Sequence, residues 1–379
     1  MKKNNVILIV MSILLTSCAK GYDPLKKNDK NDNVTIDGEL KYCNLEEVKE
    51  QRSGITNESY NHLTVPNNLT VSIPNSICNL KIHEDELDMD TAKKLFDEFA
   101  NEKMSFSISE DNNFPALQTS FDSHGQYFRT YKYGGFSYYT NENTLNRLRV
   151  QENEKKYCYF NSSDNNKTIK LASGTITLEE AKTISQKFVD KYCETIGVPP
   201  YTPSYYDYSD SLNGIIIYYN DNLDGYGVVD YAINDSTNVP LINKDMFVGN
   251  YPQAYSIIYD TDEVEFFVDI TGGSKVTERN DEKDKMVSLS SALHFVDKNL
   301  ADYFDCSVLN ISLVQCRDKE KSDPFDLYMS QEEYEDYAED YQTYPCWQII
   351  LSDIKIPQNR YAALINCNSG EFGFARIMN

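Results

Sequence analysis

Three segments of the chain carry apolar residues at helical spacing, and each is followed by several short strand-like runs. The first segment starts near Asp90 and the third starts at Ser288. The second opens with Thr177 and Glu180, which have the spacing of a capping box. A helix with one apolar face must bury that face against another element. The pattern therefore predicts an α+β fold in which single helices pack on antiparallel β-sheets.

The second and third of these stretches end in similar sequences. Residues 268–273 (VDITGG) align with residues 365–370 (INCNSG), and each run enters a turn with a final glycine. This match predicts tandem units of one helix and one antiparallel sheet, over residues 59–150, 151–283 and 284–379. The alternative is that such turns are common between unrelated strands.

The order of helix, strands and VDITGG ending resembles the PepSY-type module of secreted and surface bacterial proteins. Residues 69–74 (LTVSIP), followed by residues 90–92 (DTA), resemble a family of clostridial lipoproteins of unknown function. PepSY-type modules are associated with the restraint of peptidases and with sensing at the cell envelope. The resemblance therefore implies a regulatory role and no catalytic residues.

The N-terminus has the layout of an export signal. Lys2 and Lys3 precede an apolar stretch of about ten residues, which is too short to span a bilayer. Residues 15–19 (LTSCA) resemble the lipobox of bacterial lipoproteins. That resemblance implies that residues 1–17 are removed and that lipid on Cys18 holds the protein outward-facing on the cell membrane. Residues 18–58 are predicted to form a disordered tether, with the alternative that its later part already joins the first unit. A plain secretory signal is the alternative to the lipoprotein signal.

The formal charge of the chain is −23 at pH 7, with acidic residues spread along its length. Nucleic acids and anionic lipid surfaces bind clustered Lys and Arg, so the charge argues against both as partners. The sequence contains no G-x-S-x-G, H-E-x-x-H, Walker or G-x-G-x-x-G motif. We therefore expect a non-enzymatic protein, and the sequence indicates no cofactor and no metal site.

The chain has nine cysteines, so eight remain when Cys18 is lipidated. An even number in an exported protein permits four disulfides. We predict the pairs Cys306–Cys316 and Cys346–Cys367, because the members of each pair flank neighbouring elements. Free buried thiols are the alternative.

An acidic segment in a long insertion opens with a second capping-box pattern, Ser330 with Glu333. In it Tyr334, Tyr337 and Tyr341 recur at helical spacing and form a stripe. An acidic helix with an aromatic stripe is suited to dock a basic partner, so we predict that these tyrosines contact another envelope protein. The alternative is a solvated helix whose tyrosines pack on their own domain.

A second cluster of tyrosines supports a different function. Tyr201, Tyr205, Tyr206 and Tyr208 lie among prolines. Stiff aromatic loops of this kind stack on sugar rings or peptides, and the alternative is that they close over a domain boundary. Capture of a glycan or another solute in grooves between the units is therefore the alternative function. A structural surface module without a specific ligand is the third hypothesis.

Residues 220–225 (NDNLDG) have part of the pattern of a calcium-binding loop. The twelfth position of that pattern is Tyr231, which cannot supply the carboxylate that calcium requires. Asp-Gly between strand-like runs is a hairpin signal. We therefore predict a plain turn.

Overall fold

The structure is a computed structural model of the 379-residue chain. It describes residues 40–51, 54–67, 69, 71–84, 87–100, 118–121, 127–130, 135–140, 157–160, 165–209, 213–229, 254–269, 273–280, 285–300, 304–317, 341–357, 359–370 and 372–376. Within these ranges the chain forms four α-helices and twenty-one strands, which confirms the α+β class. In the same ranges, no helix has both the length and the apolarity that crossing a membrane requires.

The helices are α1 (Leu45–Gln51), α2 (Met89–Phe99), α3 (Leu178–Ile196) and α4 (Leu289–Leu300), and a short 3₁₀ helix follows α1 at Ile55–Asn57. The strands are β1 (Tyr42–Cys43), β2 (Leu63–Thr64), β3 (Val71–Ser72), β4 (Asn79–Glu84), β5 (Gln118–Phe121), β6 (Tyr127–Thr130), β7 (Phe136–Tyr139), β8 (Tyr157–Tyr159), β9 (Thr168–Lys170), β10 (Thr175–Thr177), β11 (Thr202–Ser209), β12 (Gly214–Asn220), β13 (Gly227–Val229), β14 (Ala254–Ile258), β15 (Phe266–Asp269), β16 (Ser274–Asn280), β17 (Met286–Val287), β18 (Cys306–Arg317), β19 (Tyr341–Asp353), β20 (Arg360–Asn366) and β21 (Phe372–Arg376).

Helix α3 begins and ends where its sequence predicts. The hydroxyl of Thr177 accepts a hydrogen bond from the backbone N–H of Glu180 at 3.2 Å. The Glu180 carboxylate in turn accepts from the N–H of Thr177 at 2.7 Å. Gly197 then ends the helix in the left-handed conformation, with φ of 76°. The predicted capping box is confirmed.

Eight strands form one antiparallel sheet in the order β5-β6-β7-β15-β14-β12-β11-β8. Helices α2 and α3 cover one face of this sheet. The core between them and the sheet includes Ala92, Leu95, Ala181, Val189, Tyr192, Ile217 and Phe267. The opposite face carries a separate cluster of side chains.

The second sheet has nine strands and is organised around the long hairpin of β18 and β19. Its main order is β13-β18-β19-β20-β21. Strands β2 and β3 pair in parallel with β18, while β4 links β19 to β16. Helix α4 packs on one face, where Trp347 is fully buried and its Nε1 donates to the carbonyl of Val287 at 2.8 Å.

The two sheets do not follow the three predicted sequence units. Strands β5, β6 and β7 belong to the first predicted unit but share a sheet with strands of the second. Strands β2, β3 and β4, also from the first unit, pair with strands of the nine-stranded sheet, as does β16 from the second. The boundaries at 150 and 283 therefore do not separate independent sheets.

The predicted tether is wrong for residues 40–51 and 54–58, which belong to the fold, and the alternative that its later part joins the first unit is the one that holds. Strand β1 pairs with β17, and Val48 of α1 and Ile55 are 0% and 1% exposed. These side chains pack in the core beneath α4, so burial of apolar area stabilises the segment. Residues 18–39 of the predicted tether lie outside the described residues.

The aligned turns of the sequence share their final glycine conformation. Gly273 has φ of 94° and Gly370 has φ of 74°, and each follows a strand that ends four residues earlier. The strands that come next differ in their partners. Strand β16 crosses to pair with β4, whereas β21 stays beside β20. The alignment therefore predicts the turn but not the path of the chain after it.

Candidate functional site

The long hairpin of β18 and β19 presents the acidic segment that the sequence singles out. Arg317 near the end of β18 lies opposite Thr343 near the start of β19, so residues 318–340 leave and return at one end of the hairpin. Tyr341 begins β19 and pairs with Ile82 of β4. It therefore does not continue a helical stripe, and that part of the prediction is wrong. Tyr334 and Tyr337 lie outside the described residues.

Buried polar side chains lock this end of the hairpin to β4. The hydroxyl of Thr343 donates to the side-chain oxygen of Gln315 at 2.8 Å and lies 3.1 Å from the carbonyl oxygen of Leu80. The Gln315 amide donates to the carbonyl of Cys78 at 2.9 Å. Both polar side chains are at most 1% exposed. Because buried polar groups need partners, these bonds favour one position of the strand ends.

The predicted Cys306–Cys316 disulfide is wrong. Both residues belong to strand β18, one at its first position and the other ten residues later. At about 3.3 Å per residue their Cα atoms are roughly 30 Å apart, whereas a disulfide spans at most about 7 Å. The two residues lie near opposite ends of one strand and not on two neighbouring strands.

The predicted Cys346–Cys367 disulfide is also wrong, for a different reason. Cys346 lies opposite Asn366, the residue just before Cys367. Successive residues along a strand point to opposite faces, and the two thiols belong to cores on opposite sides of the sheet. None of the eight cysteines in the described residues forms a disulfide, so the alternative of buried thiols is the one that holds.

Five of these thiols are held in their neutral form. Burial raises the pKa of Cys43 from 9.0 to about 11, and the Glu47 carboxylate adds to the effect. Burial also raises the pKa of Cys158, Cys193, Cys306 and Cys367. The thiolate is the nucleophilic form of cysteine, so these five side chains react slowly as nucleophiles at neutral pH.

A row of aromatic rings crosses six strands of the eight-stranded sheet, on the face away from the helices. Its consecutive ring centroids are 4.3–6.0 Å apart, and its members are Tyr127, Tyr139, Phe266, Tyr255, Tyr218 and Tyr205. Only Tyr139 and Tyr255 are half-buried, and the other four are at most 9% exposed. The row is therefore a second core of this sheet rather than an open platform.

The tyrosines that were candidates for stacking on sugar rings are part of the folded interior. Tyr201, Tyr205 and Tyr206 are 3%, 5% and 0% exposed, and the last two belong to strand β11. The ring of Tyr208 is only half-buried, but the ammonium of Lys167 lies 4.1 Å from its centroid. These rings therefore support packing of the sheet and do not line an exposed loop.

Two buried carboxylates lie where the chain crosses from the eight-stranded sheet to the nine-stranded sheet. Tyr201 donates to Asp269 at 2.7 Å, and Ser274, the first residue of β16, donates to Asp221 at 2.9 Å. Both aspartates are 1% exposed. Burial and these two carboxylates raise the pKa of Tyr201 well above its usual value, so the phenol stays a hydrogen-bond donor. The bond to Asp221 holds the start of β16 next to the end of β12.

The calcium-like segment is a tight hairpin turn, as predicted. Leu223 and Tyr226 exchange backbone hydrogen bonds of 2.9 and 3.0 Å across Asp224 and Gly225, which both have positive φ. Arg279 on β16 binds the Asp224 carboxylate with two nitrogens. Across the described ranges, no group of three or more His, Cys, Asp and Glu side chains is arranged to hold a metal ion.

No protein-family model and no curated protein matches the chain. The fold is similar to a solved structure of an uncharacterized protein from Eubacterium rectale, with a TM-score of 0.54 and 12% sequence identity. The match covers 86% of this chain and 98% of that one. At this identity the likeness concerns the fold alone.

Proposed function

We propose that the protein is an outward-facing lipoprotein without enzymatic activity that binds another protein of the cell envelope. The observation that carries this proposal is the placement of residues 318–340 at the end of the hairpin of β18 and β19. That hairpin is the longest in the described part of the chain, and its end is fixed by the Gln315–Thr343 hydrogen bond. An insertion on a fixed support is a common place for a binding surface.

The charge of the insertion indicates the chemistry of its partner. Residues 318–340 contain ten acidic and two basic residues, together with Tyr328, Tyr334 and Tyr337. Tyrosine is enriched at protein interfaces because it combines apolar area with a polar tip. Acidic side chains around it favour a basic partner and suppress others by repulsion. We therefore propose a basic surface of an envelope protein as the partner.

The order of elements supports a finer proposal, that the fold consists of PepSY-like repeated units. Helix α2 precedes the antiparallel strands β5, β6 and β7, and α3 precedes β11, β12, β14 and β15. Helix α4 precedes β18, β19, β20 and β21 in the same way. We propose that these are tandem helix-on-sheet units, and that their resemblance to modules of envelope regulators extends to a regulatory role.

Membrane attachment through lipid on Cys18 is part of the same proposal. Its test is fractionation of cells that express the Cys18→Ala variant, with Cys158→Ala as the control that removes a thiol of the folded part. We expect wild type and Cys158→Ala to stay with membranes and Cys18→Ala to leave them. Equal membrane retention of all three proteins would remove the anchor from the proposal.

The partner proposal is tested by replacing residues 318–340 with a short glycine–serine turn. Because Arg317 and Thr343 are already opposite each other, a short turn can close the hairpin without moving its strands. The tagged wild type is expected to co-purify one envelope protein that the variant loses, at an unchanged melting temperature. Retention of that protein by the folded variant would place the binding surface elsewhere.

A further inference from the structure

The first described residues lie at one end of the nine-stranded sheet. The N–H of Val287 donates to the carbonyl of Cys367 at 3.0 Å, and the N–H of the residue after Val287 donates to the carbonyl of Lys41 at 2.8 Å. The side chain of Leu40 lies against Gly370 and leaves no room for a Cβ there. The chain therefore enters the fold beside the turn that follows β20.

The hairpin of β18 and β19 opens to the acidic insertion at this same end. The N–H of Cys367 donates to the carbonyl of Pro345 at 2.9 Å, so the turn after β20 lies beside that residue of β19. Thr343 is two residues nearer the start of β19, roughly 7 Å further along the strand, and Arg317 lies opposite it. Residues 318–340 therefore leave and return at the end of the sheet where the chain enters.

This end of the nine-stranded sheet is called the root end. The opposite end of the sheet carries the turn between β19 and β20, where Lys355 is exposed. Strand β19 extends from the root end to Asp353 at the opposite end, and the ten residue steps after Thr343 measure roughly 33 Å. The root end is defined by Leu40, Arg317, Thr343 and Gly370.

The tether fixes which end of the sheet is nearer to the membrane. Lipid on Cys18, which rests on the proposed function, leaves residues 18–39 between the membrane and Leu40. These 22 residues span at most about 75 Å. The root end is held nearest to the anchor, and the opposite end comes closer only when the whole protein turns over. The acidic insertion therefore begins and ends on the membrane side of the sheet.

The root end also carries an exposed aromatic side chain. Tyr42 on β1 is 43% exposed, and only two other large hydrophobic side chains of the described residues are exposed, Met89 and Ile354. Gln342 on β19 is exposed as well. An exposed tyrosine at the same end as an insertion with ten acidic and two basic residues suits a basic protein surface.

We propose that the root end docks on a basic, outward-facing surface of an integral membrane protein. Such a partner meets the sheet from the membrane side, where the tether holds the root end. A secreted protein or a wall polymer reaches the opposite end of the sheet first. Anchoring of both proteins in one membrane raises their effective concentration, so a contact of modest affinity is sufficient.

The orientation is measured without any partner, by energy transfer to a dye in phosphatidylcholine vesicles that carry the lipidated protein. A fluorophore is attached at Gln342→Cys or Lys355→Cys, two exposed positions near opposite ends of β19. Wild type treated in the same way gives the background from its other cysteines. We expect greater transfer from Gln342→Cys. Equal transfer from both positions, or greater transfer from Lys355→Cys, would overturn the proposed orientation.

The partner is identified on intact cells with a photoreactive amino acid at Gln342, and Lys355 is the control position. Deletion of residues 22–35 shortens the tether to eight residues, which span at most about 27 Å. We expect one protein to be captured from Gln342 alone, and alkaline carbonate to leave it in the membrane. Capture should rise about fourfold with the short tether, because effective concentration falls as the −3/2 power of tether length.

The outcomes separate this inference from the proposed function. Membrane fractionation first verifies that the shortened protein is still anchored. A captured protein that carbonate extracts, or capture that the deletion abolishes, would overturn the integral membrane partner and leave the proposed function standing. The absence of a captured protein at both tether lengths would contradict the inference and the proposed function together.

Discussion

The hydroxyl of Thr343 donates a hydrogen bond to the side-chain oxygen of Gln315 at 2.8 Å, inside the hairpin that presents the acidic insertion. The two residues lie on neighbouring strands and are almost completely buried. Through Leu80 and Cys78 the same network reaches β4. A binding segment at the end of a long hairpin needs such a fixed base, because a frayed base would spread the segment over many positions.

Loss of the Thr343–Gln315 hydrogen bond is measurable as a loss of stability. Thr343→Val keeps the shape of the side chain but leaves the oxygen of Gln315 without this donor, so we expect unfolding to become easier by about 1–2 kcal/mol. Denaturant unfolding measures the change. The control is Ser312→Ala, which removes a longer, half-buried hydrogen bond of 3.3 Å to Gln348 on the same hairpin. Equal effects of both substitutions would contradict the special role of Thr343.

The carboxylate of Asp297 on α4 holds the segment that precedes β2. It accepts hydrogen bonds from the backbone N–H groups of Asn61, His62 and Leu63 at 3.0, 2.6 and 2.9 Å. Asp297→Ala leaves these donors without their acceptor, and we expect a loss of roughly 3 kcal/mol in the free energy of unfolding. Asp305→Asn, which alters the exposed contact with the His62 ring, is expected to change it by less than about 1 kcal/mol.

Alanine substitutions at two glycines with positive φ distinguish the cost of backbone strain from the cost of steric overlap. A Cβ at Gly197 would meet nothing within 4 Å, whereas a Cβ at Gly273 would lie 2.6 Å from Cγ1 of Val198. Gly197→Ala should therefore cost about 1 kcal/mol from backbone strain alone. We expect Gly273→Ala to cost more, because Val198 must also move, and thermal unfolding of the two variants compares them. A larger loss for Gly197→Ala would contradict the packing of this turn.

The buried thiols and phenols predict a loss of stability at alkaline pH. The pKa of Cys43 is raised from 9.0 to about 11 in the folded protein, so the unfolded chain releases its proton first. Between pH 9 and pH 11 the folded state binds more protons than the unfolded state, and stability falls as pH rises. The contribution of this thiol is complete below pH 9. The melting temperature across this range measures the effect, and Cys43→Ala is expected to reduce the slope.

Alkylation tests the absence of disulfides directly. In the native protein at neutral pH we expect slow modification of the buried cysteines, and rapid modification of all eight after unfolding without a reductant. Mass spectrometry of the unreduced protein counts the labels. A Cys306–Cys316 or Cys346–Cys367 peptide would contradict the strand positions of these four residues.

The sequence predicts a helix well where capping residues mark its first and last turns. Thr177, Glu180 and Gly197 bound α3 through contacts within the helix itself, so no knowledge of the rest of the fold is required. The first residue of α4 follows the predicted Ser288 start, whose hydroxyl accepts from the N–H of Ser291 at 3.2 Å. Periodicity and caps are local properties, which is why these predictions hold.

The pairing of distant strands could not be predicted in the same way. Nothing near β16 indicates that it leaves its neighbours and pairs with β4, almost two hundred residues earlier. The disulfide prediction failed for a related reason. It assumed that Cys306 and Cys316 lie on two neighbouring elements, but they belong to one twelve-residue strand. The candidate surface was found from charge and tyrosine spacing, while its support by Gln315 depends on tertiary contacts alone.

The most direct test of the proposed binding function is photo-crosslinking on intact cells. A photoreactive amino acid is placed at Tyr334 or Tyr337, and the control position is Lys187 on the exposed face of α3. We predict that one envelope protein is captured from the first two positions and not from the control. Its yield should fall when Glu332, Glu333, Glu335 and Asp336 are replaced by their amides. Capture of the same proteins from all three positions, or of none, would contradict the proposed partner surface.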